Sequence, residues 1–156
     1  MNHLYLSLGT NLGEKEQNLR RAVDEIEKQI GTVVSLSAFY ATEPWGFQSA
    51  NSFLNAVLVA LTPLSPLEAL ERTQQIERLL GRTSKSIDGH YHDRLIDIDL
   101  LFYNDLVATL TTPTGEQLVL PHPHLLERDF VMLPLAEIAP ELVHPVAGKT
   151  IRELAG

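Results

Sequence analysis

The sequence predicts an α+β fold: a ferredoxin-like β-α-β-β-α-β antiparallel sheet with an added hairpin and a C-terminal helix. Three observations carry that prediction. Strand-length apolar runs recur near residues 3–8, 33–41, 53–61 and 95–103. Two amphipathic segments with distinct starts and stops lie between the first and second runs and between the third and fourth. No signal-like leader, internal repeat or Gly/Ser linker interrupts this order, so one domain over residues 1–156 is expected.

Each element has its own justification. His3 to Leu8 alternates, with Leu4, Leu6 and Leu8 sharing one face. Gly9-Thr10-Asn11-Leu12-Gly13 reads as a turn. The helix that follows, from about Glu14 to Ile30, is acidic at its start, carries Leu19, Val23, Ile26 and Ile30 as its stripe, and stops at Gly31. Val33 to Ala41 is rich in β-branched and aromatic residues, hence a second strand. The loop from Thr42 to Ser52 carries Pro44, Trp45, Gly46 and Phe47. Phe53 to Leu61 is almost wholly apolar, as an interior strand buried on both faces should be.

Ser65-Pro66-Leu67-Glu68 marks the second helix start: serine caps, proline takes the first helical position and Glu68 completes a capping box. Gly81 closes that helix. Arg82 to Asp93 is polar, cationic and aperiodic, and reads as a mobile loop that closes over a polyphosphate. Leu95 to Tyr103 is the next strand, with Ile96, Ile98, Leu100 and Phe102 on one face and Leu95, Asp97, Asp99, Leu101 and Tyr103 on the other. Leu106 to Leu110 and Leu118 to Leu120, around Pro113-Thr114-Gly115, form the added hairpin. A short helix spans about Leu125 to Ile138.

Composition narrows the function classes. Lys and Arg total 12 and Asp and Glu total 20, a net charge of −8 with histidine neutral. General electrostatic binding of nucleic acid is therefore not expected, although a local basic pocket stays open. No cysteine is present, which removes disulfides, thiolate metal sites and cysteine nucleophiles. No apolar run reaches the roughly 18 residues of a membrane helix. The expected setting is the cytoplasm, with neither membrane nor nucleic acid as partner, and the expected state is a monomer.

The strongest chemical signal is Asp97-Ile98-Asp99. Alternate residues of a strand share a face, roughly 6.5–7 Å apart along the backbone, so the two carboxylates can converge at their tips. Hard oxygen ligands at this spacing suit two Mg²⁺ ions of the kind used in phosphoryl transfer. The alternative is a solvated strand face, and spacing alone does not choose. A second signal is the cationic set Arg82, Lys85, Arg94 and Arg128, with His122 and His124, whose guanidinium forks suit phosphate oxygens. Surface loops also carry such charges without binding anything. Asn55, in an apolar strand, either pairs with backbone or reads the polar edge of a flat heterocycle, which Phe53 and Phe130 could sandwich. Gly9 to Gly13 lacks the lysine and serine or threonine of a P-loop and the G-x-G-x-x-G pattern. Ser84 and Ser86 sit in no nucleophile elbow.

These residues occur within several ordered motifs: Leu4-Tyr5-Leu6-Ser7-Leu8-Gly9-Thr10-Asn11-Leu12-Gly13, Phe39-Tyr40-Ala41-Thr42-Glu43-Pro44 and Phe53-Leu54-Asn55-Ala56. Gln74, Ile76, Glu77 and Gly81-Arg82 come next, then Arg94-Leu95-Ile96-Asp97-Ile98-Asp99-Leu100-Leu101 and Pro121-His122-Pro123. The last is Glu127-Arg128-Asp129-Phe130-Val131-Met132-Leu133-Pro134-Leu135. Over essentially its whole length the chain resembles the 6-hydroxymethyl-7,8-dihydropterin pyrophosphokinases of folate biosynthesis.

The resemblance implies an ATP-dependent pyrophosphokinase. It would move the β,γ-pyrophosphoryl group of ATP to the hydroxymethyl oxygen of the pterin and release AMP. It implies that Asp97 and Asp99 hold two Mg²⁺ ions that arrive with ATP, and that Arg82 and Arg94 act with them in catalysis. Gln74, Glu77, Lys85, Ile98, His122 and Arg128 would serve the nucleotide. Thr42, Trp45, Phe53, Asn55 and Phe130 would form the pterin pocket. The length implies the stand-alone form, without a fused second folate-pathway enzyme. Departures from the family pattern fall in the loop: Ser84 in place of an arginine, Tyr91-His92-Asp93 in place of Trp-x-Pro, and Leu95 where threonine is common. Two other classes compete. A metallohydrolase would use His90, His92, His122 and His124 with the aspartates, and a non-catalytic binding module would leave the aspartates without a purpose.

Overall fold

The computed structural model describes residues 1–42, 52–81 and 95–156. Strand β1 (Asn2–Thr10) leads into helix α1 (Lys15–Gln29), and β2 (Thr32–Leu36) and β3 (Tyr40–Thr42) follow. Next come β4 (Phe53–Thr62), α2 (Pro66–Gly81) and β5 (Asp97–Tyr103). The hairpin β6 (Ala108–Thr111) and β7 (Gln117–Leu120), helix α3 (Asp129–Ile138) and helix α4 (Ile151–Ala155) complete the described chain. The main sheet has the order β2-β4-β1-β5, with β3 also on β4, and every pairing is antiparallel. Fold class α+β, the hairpin and a helix within residues 125–138 agree with the sequence reading, whereas α4 is not part of that reading.

The sheet is covered on both faces, because its strands present apolar residues to both. Leu4, Leu6 and Leu8 of β1 and Ala56, Leu58 and Ala60 of β4 pack with Leu19, Ala22 and Ile26 of α1 and Ala69, Ile76 and Leu80 of α2. On the other side Val57, Leu101 and Phe102 pack with Val131, Met132 and Leu135 of α3 and Ile151 of α4. Strand β4 is thus buried on both faces, as its continuous apolar run requires. The two long helices lie on one side, as expected, and α3 and α4 close the opposite side.

Local chemistry explains the boundaries. The Ser65 hydroxyl accepts from Glu68 N at 3.2 Å while the Glu68 carboxylate accepts from Ser65 N at 2.8 Å, the reciprocal cap expected for α2. At the end of α1, a Cβ on Gly31 would collide with the carbonyl of Leu61, so only glycine lets the helix return this closely onto β4.

Four expectations need correction. Residues 33–41 are not one strand: the edge breaks between β2 and β3 at Ser37. Ser37 N donates to Val57 O at 2.9 Å, Val57 N donates back to the Ser37 hydroxyl at 3.0 Å, and that hydroxyl donates to Ala38 O at 2.7 Å. A side-chain oxygen thus takes a place that a backbone carbonyl would hold in an unbroken ladder. Second, β1 continues through Gly9 and Thr10 instead of turning at Gly9. Third, Phe102 and Tyr103 exchange faces. The β1–β5 register pairs Leu6 with Leu100 but Tyr5 with Phe102, so Leu101 is an extra residue that reverses the alternation after it. Fourth, residues 125–138 form a 3-10 turn (Leu125–Glu127) and then α3, separated by Arg128 in extended conformation.

Candidate active site

The site face is the one opposite α1 and α2, near the start of β4 and β5. Antiparallel partners point to the same side, so register places the residues in rows. One row crosses the sheet as Asn55, Gly9 and Asp97; the next crosses as Val57, Ser7 and Asp99. The predicted amide and both predicted carboxylates therefore lie on one surface, with the β1 residues between them. Gly9 leaves a notch there: a Cβ would stand 3.0 Å from Asn55 Oδ1.

Asn55 is 5% exposed, and its Nδ2 donates to the Thr42 hydroxyl at 3.2 Å. That bond fixes which edge of the amide Asn55 presents. Phe53 and Phe130, by contrast, are 38% and 39% exposed. An exposed Phe53 two residues from a buried, oriented amide on β4, with Phe130 exposed on α3, suits a flat ligand with a polar edge and apolar faces. Asp99 lies 3.7 Å from the Arg128 guanidinium, which also stands 5.7 Å from the centre of the Phe130 ring. Arg128 therefore connects the carboxylate pair to the aromatic slot.

Of the nucleotide-side expectations, Glu77 and Ile98 meet at the edge of β5, where no further strand pairs among the described residues. Glu77 of α2 accepts the Ile98 N–H at 2.8 Å. In an antiparallel strand a residue's N–H and C=O point the same way, so the Ile98 carbonyl also faces outward over this edge. The Ile98 side chain is buried under the helices, leaving only its backbone for a ligand. Gln74 Nε2 donates to Glu116 of the hairpin at 2.7 Å, which draws the hairpin turn over α2.

His122 enters from the segment after β7, held by its N–H to Leu101 O at 2.9 Å. Its Nδ1 accepts from His124 N at 3.1 Å, so a neutral ring carries its proton on Nε2. Burial, with Arg128 and His124 adding and Asp97 opposing, lowers its pKa to about 4. At neutral pH His122 is therefore a neutral donor rather than a cation.

Arg82, Lys85, Arg94 and Trp45 lie outside the described residues, as do His90, His92 and the whole expected closing loop. Among the described residues no group of three or more His, Asp or Glu could hold a metal ion. Among the described residues, Asp97 and Asp99 are thus a pair without an imidazole ligand. Two hard carboxylates fit Mg²⁺, which keeps waters and takes its remaining ligands from substrate phosphates. Sequence reasoning overlooked Gly9, which it read as a turn, and Glu116, Tyr40 and Glu137, whose spacing carries no signal.

An acidic pair and an oriented amide on one sheet face, with exposed aromatic side chains on β4 and α3, suit a small-molecule enzyme better than a structural module. The chain belongs to the 7,8-dihydro-6-hydroxymethylpterin-pyrophosphokinase family, whose model matches residues 5–140. Over 144 residues it is 48% identical to a 2-amino-4-hydroxy-6-hydroxymethyldihydropteridine pyrophosphokinase of Porphyromonas gingivalis, covering 92% of this chain and 95% of the relative. It is 38% identical to a folic acid synthesis protein of Dictyostelium discoideum over 92% of this chain but 20% of that larger protein. A crystal structure of Plasmodium falciparum HPPK-DHPS has the same fold, with a TM-score of 0.81 and 20% identity, over 99% of this chain and 44% of that one. No described helix is long and apolar enough to cross a membrane.

Proposed function

We propose that the chain transfers the β,γ-pyrophosphoryl group of ATP to the hydroxymethyl oxygen of 6-hydroxymethyl-7,8-dihydropterin, releasing AMP, with Asp97 and Asp99 as ligands of two magnesium ions. The row Asn55, Gly9, Asp97 is the observation that supports this most directly. Its ends are two strand spacings apart, about 10 Å, the span of a bicyclic heterocycle and its one-carbon arm. With the pterin edge on Asn55 and its ring between Phe53 and Phe130, the arm would reach toward the carboxylate pair. Asp97 and Asp99 would hold the magnesium, which when bound would neutralise polyphosphate charge.

The chain's own residues do the rest. Asn55, held by Thr42, gives the pterin edge its hydrogen bonds, and the notch at Gly9 admits the ring. Trp45 is assigned to the same pocket by the family resemblance alone. Gln74, Glu77 and the Ile98 carbonyl hold the base and sugar end of ATP at the β5 edge. His122 donates through Nε2, while Lys85 and Arg128 contribute positive charge to the phosphates. Arg82 and Arg94 stabilise charge on the transferring group, which must lie in line between the pterin oxygen and the α,β-bridging oxygen. The alcohol needs only a weak proton acceptor, a carboxylate oxygen or water.

The test is AMP formation from ATP with and without the pterin in magnesium buffer. The reading predicts AMP only when both substrates are present. Pterin-independent AMP, or ADP as the product, contradicts it.

A further inference from the structure

We infer that Glu137 is a positioning residue that sets the width of the pterin slot by fastening the far end of α3 to the broken edge strand. The inference deepens the pyrophosphokinase reading and rests on it. Glu137 Oε1 accepts the Tyr40 hydroxyl at 2.6 Å, and both carboxylate oxygens accept Ala38 N at 3.2 Å. Ala38 lies in the break between β2 and β3 and Tyr40 opens β3; because Ser37 N points toward β4, the Ala38 N–H points away from it. The carboxylate gives this outward N–H a charged protein partner in place of water.

Both ends of this contact lead to the slot. On the strand side, Tyr40 pairs with Asn55 and Thr42 with Phe53, so fixing Tyr40 fixes the three-residue strand that carries the Thr42 hydroxyl to Asn55. On the helix side, Phe130 and Glu137 are seven residues apart, two helical turns along one face of α3 and about 10 Å in length. Between them Pro134 has no N–H to donate to the Phe130 carbonyl, so the helix ladder holds Phe130 less firmly than usual. Anchorage at Glu137 then holds the end of α3 remote from Phe130, beside the core contacts of Val131, Met132 and Leu135. Glu137 touches no substrate; it acts through Tyr40, Thr42 and the lie of α3.

Calorimetric titration of pterin and of a non-hydrolysable ATP analogue separates this role from a general structural one. Glu137→Ala should weaken pterin binding about tenfold, as loss of a geometry-setting hydrogen bond to a charged group does, and leave nucleotide affinity within about twofold. Glu137→Gln keeps an oxygen that can accept from both Tyr40 and Ala38 and should restore most of the pterin affinity. Tyr40→Phe, which removes one hydroxyl, should lie between, and it keeps the test open if Glu137→Ala does not fold. Equal pterin affinity in the wild type, Glu137→Ala and Tyr40→Phe overturns the inference, as does equal weakening of both ligands. A wild type that binds no pterin instead overturns the pyrophosphokinase reading itself.

Discussion

A Cβ on Gly9 would stand 3.0 Å from Oδ1 of Asn55. Asn55 cannot simply turn away, because its amide is buried and its Nδ2 is bonded to Thr42. Gly9→Ala should therefore cost about tenfold in pterin affinity by displacing the amide that reads the ring edge. Nucleotide affinity should stay as it was, and global stability should change by less than about 1 kcal/mol, the span of strand propensities. Calorimetry with each ligand, together with urea unfolding, checks all three outcomes.

Removing the carboxylates should separate chemistry from folding. Asp97 and Asp99 are only partly buried and support no core packing. Loss of either should slow AMP formation by about a thousandfold or more, since metal stabilisation of transition-state charge is worth several kcal/mol. Asp97→Ala and Asp99→Ala should unfold at nearly the wild-type urea midpoint. Rapid turnover by Asp97→Ala in magnesium buffer would remove the metal assignment.

Asn55→Ala tests the heterocycle slot from the other side. A site built around hydrogen bonds to a ring edge loses discrimination when its amide goes. Pterin affinity should fall by about a hundredfold while ATP-analogue affinity holds. Equal losses would make Asn55 a core amide serving only Thr42.

Acid should weaken the fold through His122. Its pKa is about 4 when folded, against an ordinary 6.5, so between these values the unfolded chain binds more protons than the folded one. His122 thus opposes unfolding fully above about pH 6.5, and that contribution is lost as pH falls toward 4. Burial lowers the His144 pKa in the same direction, so both imidazoles act together. Imidazole NMR titration of the metal-free protein should show a His122 resonance midpoint near 4. A midpoint near 6.5 would show that the ring is exposed and free to charge.

Much of the fold was legible because periodicity and caps are local signals. The alternation of Leu4, Leu6 and Leu8, the apolar run of β4 and the Ser65–Glu68 cap each survive in the structure unchanged. What was not legible depends on contacts distant in sequence. The Leu101 bulge, which exchanges the faces that Phe102 and Tyr103 occupy, arises from pairing with Tyr5 and Leu6. The break at Ser37 depends on Val57 and Glu137, the latter 99 residues from Ala38. For the site, residue type pointed to Asp97, Asp99, Asn55 and the two phenylalanines, whereas Gly9 acts through the space it leaves. A notch has no sequence signature until its neighbours across the sheet are known.

The central claim, transfer of two phosphates together, is tested most directly by following separately labelled β- and γ-phosphates of ATP in the presence of 6-hydroxymethyl-7,8-dihydropterin and magnesium. The account predicts that both labels appear on the pterin in equal amount, with one AMP released per pterin converted. Transfer of the γ label alone with release of ADP, or appearance of both labels in free pyrophosphate, would contradict it.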